Sequence, residues 1–89
     1  MKVKIYVNWH SKEIISEKDL EKQIEEIFED YKGDYDYFGE WLEKNYRIDE
    51  VWKMNDEERI KTVKAFEEYC LSEARTDVLY EWTERELEI

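Results

Sequence analysis

The sequence predicts an α+β fold in which a small antiparallel sheet, made of an N-terminal hairpin plus a C-terminal strand, is covered on one face by three to four helices. Three observations predict it. Residues 2–8 alternate apolar and polar side chains, as a half-buried strand does. The middle of the chain carries apolar residues at spacings of three and four behind Ser, Asp or Asn, the pattern of capped amphipathic helices. Residues 83–89 alternate once more.

In the first strand Val3, Ile5 and Val7 lie on one face and Lys4 and Tyr6 on the other. Asn8-Trp9-His10-Ser11 suits a turn, and Glu13-Ile14-Ile15 returns as a short second strand. Ser16 followed by Asp19 places a side-chain oxygen where it can satisfy the free N–H groups of a helix start, so a first helix is expected over 17–32. Its stripe is Leu20, Ile24, Ile27, Phe28 and Tyr31, and Gly33 is available for a left-handed stop. Asp34 caps a second helix with the stripe Tyr35, Phe38, Trp41, Leu42 and Tyr46, inside which Gly39 marks either close helix packing or a break. Ile48, Val51, Trp52 and Met54 suggest one helical turn. Asn55 with Glu58 opens a long helix over 56–75 whose stripe is Ile60, Val63, Phe66, Tyr69, Cys70 and Ala74. Val78, Leu79 and Trp82 suit helix, and Thr83–Ile89 a final strand, with Leu87 and Ile89 facing inward and pairing beside the first strand.

A chain of 89 residues without proline, repeat or Ser/Gly-rich linker supports one domain over 1–89. Aromatics make up 16% of it, including four tryptophans, which separates it from acidic disordered chains, poor in such residues. Cys70 is the only cysteine, so no internal disulfide forms and a reducing compartment, the cytoplasm, is expected. No stretch approaches the roughly 20 apolar residues that span a bilayer, and the N-terminal apolar pattern is too short for a signal-peptide core. A net charge of -11 repels both anionic lipid and nucleic acid, whose affinity for proteins comes mainly from Lys and Arg. What such a surface attracts is a basic cleft on another protein.

The charge is uneven. Residues 1–24 hold five basic and four acidic residues, 25–58 four and thirteen, and 59–89 five and eight, giving +1, -9 and -3. In the second helix Asp36, Glu40 and Glu43 follow at spacings of four and three, stacking like charges on one face at a cost of a few tenths of a kcal/mol per pair. Acidity also serves solubility by itself. Tyr37 falls off the apolar stripe of that helix and is expected to be exposed among carboxylates, where it would suit contact with arginines.

Chemistry of other kinds is not announced. His10 is the single histidine and stands far from Cys70, which lies on an apolar stripe and reads as core, so neither zinc nor thiol catalysis is expected. Asp34–Gly39 echoes a calcium loop in part, but Phe38 stands where an oxygen ligand belongs and Asn45 where the closing Glu is required. No phosphate-binding glycine loop or serine elbow occurs. The expectation is a binding protein without cofactor or metal, and not an enzyme.

The run Asp34-Tyr35-Asp36-Tyr37-Phe38-Gly39-Glu40-Trp41-Leu42-Glu43 and the segment from Ile48 to Glu58 are similar in style to small phage proteins. Together with the acidity, the lone cysteine and the short length, they make the chain resemble the small inhibitors of phages and mobile elements, anti-CRISPR and anti-restriction proteins among them. That resemblance implies a DNA mimic, whose carboxylates take the place of phosphates in a nuclease channel, with Glu29, Asp30, Asp34, Asp36, Glu40 and Glu43 at the centre of the surface and Tyr37 beside them. The implied partner is a basic protein, a Cas effector or another nucleic-acid-binding defence protein met in the bacterial cytoplasm. Monomer and homodimer both remain open. The competing expectation is an acidic adaptor or dimeric interaction protein, joined through exposed Trp and Tyr residues, whose acidity serves solubility.

Overall fold

The computed structural model describes all 89 residues and orders them β1 (Lys2–Asn8), β2 (Glu13–Ser16), α1 (Glu17–Lys32), α2 (Tyr35–Asn45), α3 (Ile48–Trp52), α4 (Asp56–Glu81) and β3 (Thr83–Glu88). The α+β class is that of the sequence, with a three-stranded antiparallel sheet and four helices. The central strand is β1, paired with β2 from Ile5↔Ser16 to Asn8↔Glu13 and with β3 from Lys2↔Glu88 to Val7↔Thr83. The hairpin turns because the Asn8 side-chain oxygen accepts from the backbone N–H groups of His10 (3.0 Å) and Ser11 (3.1 Å), while Lys12 takes the left-handed conformation (φ 60°) that sends the chain back.

All three predicted caps form. The Ser16 hydroxyl accepts from the Asp19 N–H (3.1 Å), the Asp34 carboxylate from those of Asp36 (3.0 Å) and Tyr37 (3.2 Å), and the Asn55 side chain from that of Glu58 (2.8 Å). Gly33 ends α1 in the right-handed region (φ -88°) rather than the left-handed one. What it supplies is room, since a Cβ there would meet the Glu29 carbonyl at 3.3 Å. Gly39 neither breaks α2 nor allows close packing, for nothing lies within 4 Å of where its Cβ would be.

The long helix outruns its expected end and absorbs Val78 and Leu79, because its buried stripe continues. That stripe is Thr62, Phe66, Cys70, Ala74 and Val78, every fourth residue. Four residues overshoot a helical turn by about 40°, so the stripe swings by about 160° along the helix. The first half of α4 therefore faces α2, where Phe66 meets Phe38 at 4.6 Å between ring centroids, and the second half faces α1 and the sheet. Ile60, Val63 and Tyr69, expected on the stripe, are exposed for the same reason: they continue a spacing of three that the packing abandons.

Two cores result. At the sheet end Tyr6, Leu20, Ile24, Ala74, Val78 and Trp82 form one buried cluster, flanked by Ile15, Ile27, Phe28 and Tyr31. At the other end the contacts are aromatic, with Phe66 against Phe38, Trp41 (5.5 Å) and Tyr37 (6.0 Å). The molecule is a rod of 57 × 27 × 16 Å with a radius of gyration of 17.5 Å. A compact domain of this length would have about 12 Å.

The sheet meets the helices with the face opposite to the one its alternation suggests. Lys4, Tyr6 and Glu84 share a side, as the Lys4–Glu84 ion pair (3.3 Å) and the Tyr6 hydroxyl donating to Glu84 (3.4 Å) require, and Tyr6 and Trp82 lie in the core with α1 and α4. Val3, Ile5 and Val7, with their neighbours Leu87, Thr83 and Ile14, point the other way, and so does Ile89, which is hydrogen-bonded to Met1 one step beyond Lys2↔Glu88. The expectation that Leu87 and Ile89 face inward is thus corrected, and of the β1 residues on their side only Val7 is buried. A period of two defines two faces without saying which one a helix will cover; here the larger Tyr6 and Trp82 rings decide it.

Candidate acidic interface

The inner face of α1 is taken by Leu20, Ile24, Ile27, Phe28 and Tyr31, and that of α2 by Tyr37, Phe38 and Trp41. Helical geometry then turns Glu25, Glu26, Glu29 and Asp30 of α1, and Asp36, Glu40 and Glu43 of α2, to the outside, and all seven are exposed. The two stretches lie on consecutive helices joined only by Gly33-Asp34, and together they are called the acidic corner.

Of the thirteen carboxylates between residues 25 and 58, three are in ion pairs: Glu29 with Lys32 (3.1 Å), Asp49 with Arg47 (3.4 Å) and Glu57 with Lys61 (3.5 Å). The other ten have no cation at pairing distance. Seven of the thirteen stand at helix N-termini, Asp34 as a cap and Asp36, Asp49, Glu50, Asp56, Glu57 and Glu58 in first turns, where the helix dipole favours a negative charge. Their presence has a structural explanation. Glu25, Glu26, Glu29, Asp30, Glu40 and Glu43 have none of that kind.

The fold sharpens the charge division seen in the sequence. Residues 1–16 and 83–89, which build the sheet, hold Lys2, Lys4, Lys12 and Arg85 against Glu13, Glu84, Glu86 and Glu88, a sum of zero. The helical span 17–82 holds the remaining ten basic and twenty-one acidic residues and carries the whole -11.

The predicted site residues divide accordingly. Asp30, Asp36, Glu40 and Glu43 are exposed and unpaired; Glu29 shares its charge with Lys32, and Asp34 is engaged in capping α2. Tyr37 is not the exposed aromatic. Its ring packs on Tyr31 (5.2 Å), Phe66 (6.0 Å) and Tyr69 (6.0 Å), and burial, then hydrogen bonding with Tyr69, holds its phenol above the ordinary tyrosine range. Tyr35, expected on the stripe, is 90% exposed. The two exchange places because Asp34 starts α2 in a frame that points residues 37, 38 and 41 at Phe66.

One element of the corner escaped the sequence. Between α1, α2 and α4 lies a groove of about 290 Å³ with Phe38, Val63 and Phe66 as its apolar lining and Glu29, Lys32 and Glu67 among its polar residues, with Tyr35 beside them. Its signal was the spacing of Val63 and Glu67, four apart on α4, but their meeting with Glu29 depends on helix packing. A groove of this make-up fits the aliphatic stem and cationic head of Lys or Arg. Elsewhere Cys70 is fully buried, and burial raises its thiol above the usual range, which disfavours the thiolate a nucleophile needs. No three His, Cys, Asp or Glu side chains gather as a metal ion would require, and no helix is long and apolar enough to cross a membrane.

Comparison with protein families, with curated proteins and with solved structures finds no match to this chain.

Proposed function

We propose that the protein works by occupying a basic surface of another protein with the acidic corner of α1 and α2. Supporting this reading is one observation above the others: the sheet is electrically neutral while the helices carry the entire -11, with ten of thirteen central carboxylates unpaired. Like charges on one helix face repel, and a cationic partner relieves that repulsion through long-range attraction and charge-assisted hydrogen bonds. Carboxylates on successive helical turns stand about 5–6 Å apart, close to the spacing of phosphates along a strand. In line with the resemblance in the sequence, the target is a bacterial defence nuclease of CRISPR type, whose DNA channel Asp30, Asp36, Glu40 and Glu43 enter in place of DNA. Tyr35, rather than Tyr37, is the aromatic offered to arginines there.

The test is the triple reversal Asp36→Lys, Glu40→Lys and Glu43→Lys, measured as inhibition of DNA cleavage by a Cas effector. Inhibition is expected to fall at least about a hundredfold, with the thermal midpoint nearly unchanged because none of the three touches the core. Undiminished inhibition by the triple variant removes the proposal. Binding is also expected to weaken steeply with salt.

A second reading, an acidic adaptor without mimicry, draws its support from the exposed Trp9 and Trp52 and from the open apolar sheet face. Partner binding that ignores salt and survives the triple reversal selects it.

A further inference from the structure

We infer that the face of the sheet turned away from the helices is a docking surface for a second copy of this chain, packed face to face across a two-fold axis. This goes beyond the acidic corner and does not depend on it. The surface is built by Val3 and Ile5 of β1, Ile14 of β2 and Leu87 of β3, around Val7, which the single chain already buries. Val3, Ile14 and Leu87 are 38%, 67% and 51% exposed, and the one charged residue among their neighbours on this face is Arg85, on the edge strand. Where this apolar side still meets solvent, at Val3, Ile14 and Leu87, its burial is still to come.

Charge identifies the occupant. Two copies of a chain with net charge -11 repel at most approaches, but the sheet-building residues sum to zero, and the acidic corner lies toward the opposite end of a 57 Å rod. Sheet-to-sheet contact therefore holds the two acidic ends apart by more than the roughly 8 Å over which charges act at physiological salt. A partner chosen by charge would instead be drawn to the other end. The monomer also lacks core, with ten buried residues of 89, and stacking two sheets about 10 Å apart would close a second one.

Edge-to-edge pairing through β3 is disfavoured. If β3 paired with its own copy in antiparallel fashion, any register that kept the apolar faces together would set Glu84, Glu86 and Glu88 opposite one another. Strands of seven, four and six residues span about 270 Å² in projection, well under the roughly 800 Å² per partner of a standard interface. The dimer is accordingly a weak and transient one.

Sedimentation equilibrium on the full chain tests this. Wild type is expected to move from one to two chain masses across the micromolar range, and to associate as well or better when salt is raised, the reverse of binding through the acidic corner. Ile14→Asp and Leu87→Asp should each weaken association at least about tenfold, whereas Ile60→Asp, at an exposed position on α4, should leave it unchanged. Should either variant unfold, isotope-filtered NOEs between labelled and unlabelled wild-type copies replace it, and they are expected at Val3, Ile5, Ile14 and Leu87. A chain that stays monomeric to hundreds of micromolar, intermolecular NOEs confined to the helices, or a dimer that Ile60→Asp breaks and the sheet variants do not, overturns the inference.

Discussion

The two ends of the rod are held together differently. At the sheet end the core is a single cluster to which β1, α1, α4 and the residue before β3 all contribute, and ion pairs such as Lys4–Glu84 and Arg75–Glu21 join elements far apart in sequence. At the helical end no residue of α2 is fully buried, the ion pairs are local, and the tie between elements is a set of rings around Phe66. Charge thus helps to connect elements at the sheet end and is left outward at the helical end. Surface pairs contribute little in either place, so packing decides how firmly each end is held, and the α2 arm of the acidic corner rests on the ring contacts around Phe66.

The largest effects come from breaking each core separately. Phe66→Ala is expected to cost about 3–5 kcal/mol and Leu20→Ala about 2–5 kcal/mol. Their consequences should differ more than their sizes. Removing Phe66 takes away the ring on which Phe38, Trp41 and Tyr37 rest, so amide exchange should lose protection over residues 35–45 while β1 keeps it. Removing Leu20, at the centre of the other cluster, should lower protection in the strands and helices together. Equal loss of protection everywhere in Phe66→Ala would show that the two ends are one cooperative unit.

Alkaline pH probes the same division with a smaller effect. The hydrogen bond to Asp77, then burial, pushes the Tyr31 phenol up to about 12, and burial raises those of Tyr37 and Tyr6 above the usual range. A raised folded-state pKa favours the protonated phenol in the fold, so its contribution is complete below the unfolded value near 10 and is lost as pH rises toward 12. Stability to urea should therefore hold through neutral pH and fall between about pH 10 and 12. Tyr31→Phe should cost about 1 kcal/mol at pH 7 and make that fall shallower. An unaltered alkaline slope in Tyr31→Phe would take Tyr31 out of the account.

Local chemistry was legible in the sequence. Ser16, Asp34 and Asn55 each cap the helix they were expected to cap, and α1 spans 17–32 as its stripe and Gly33 imply, because capping and periodicity act within a few residues. The hairpin and the last strand were legible as alternation. What did not show was every choice made by packing across the chain: which sheet face meets α1, whether Tyr35 or Tyr37 turns inward, and how the stripe of α4 winds from Thr62 to Val78. Exposed carboxylates could be named from residue type and helix face, whereas the groove beside Glu29 needed three helices brought together.

The smallest expected effect bears on the softer end alone. Gly39 lies inside α2 with ordinary helical backbone, and the space around a Cβ at that position is empty to 4 Å. Glycine there leaves the unfolded chain more freedom than alanine would, with no contact in the fold to compensate, so Gly39→Ala should stabilise the protein by about 0.5–1 kcal/mol, read from urea denaturation. The gain should appear as slower amide exchange in α2 and leave that of β1 unchanged in any regime of local opening. Gly39 also borders a shallow groove with Leu42, Tyr46, Ile48 and Val51, on the helix that carries Asp36, Glu40 and Glu43. If Gly39→Ala stabilises the chain yet weakens inhibition, the partner's backbone comes close at that point and the acidic face extends toward α3; if both stability and inhibition are kept or improved, glycine is simply a weak place in the helix that holds the corner.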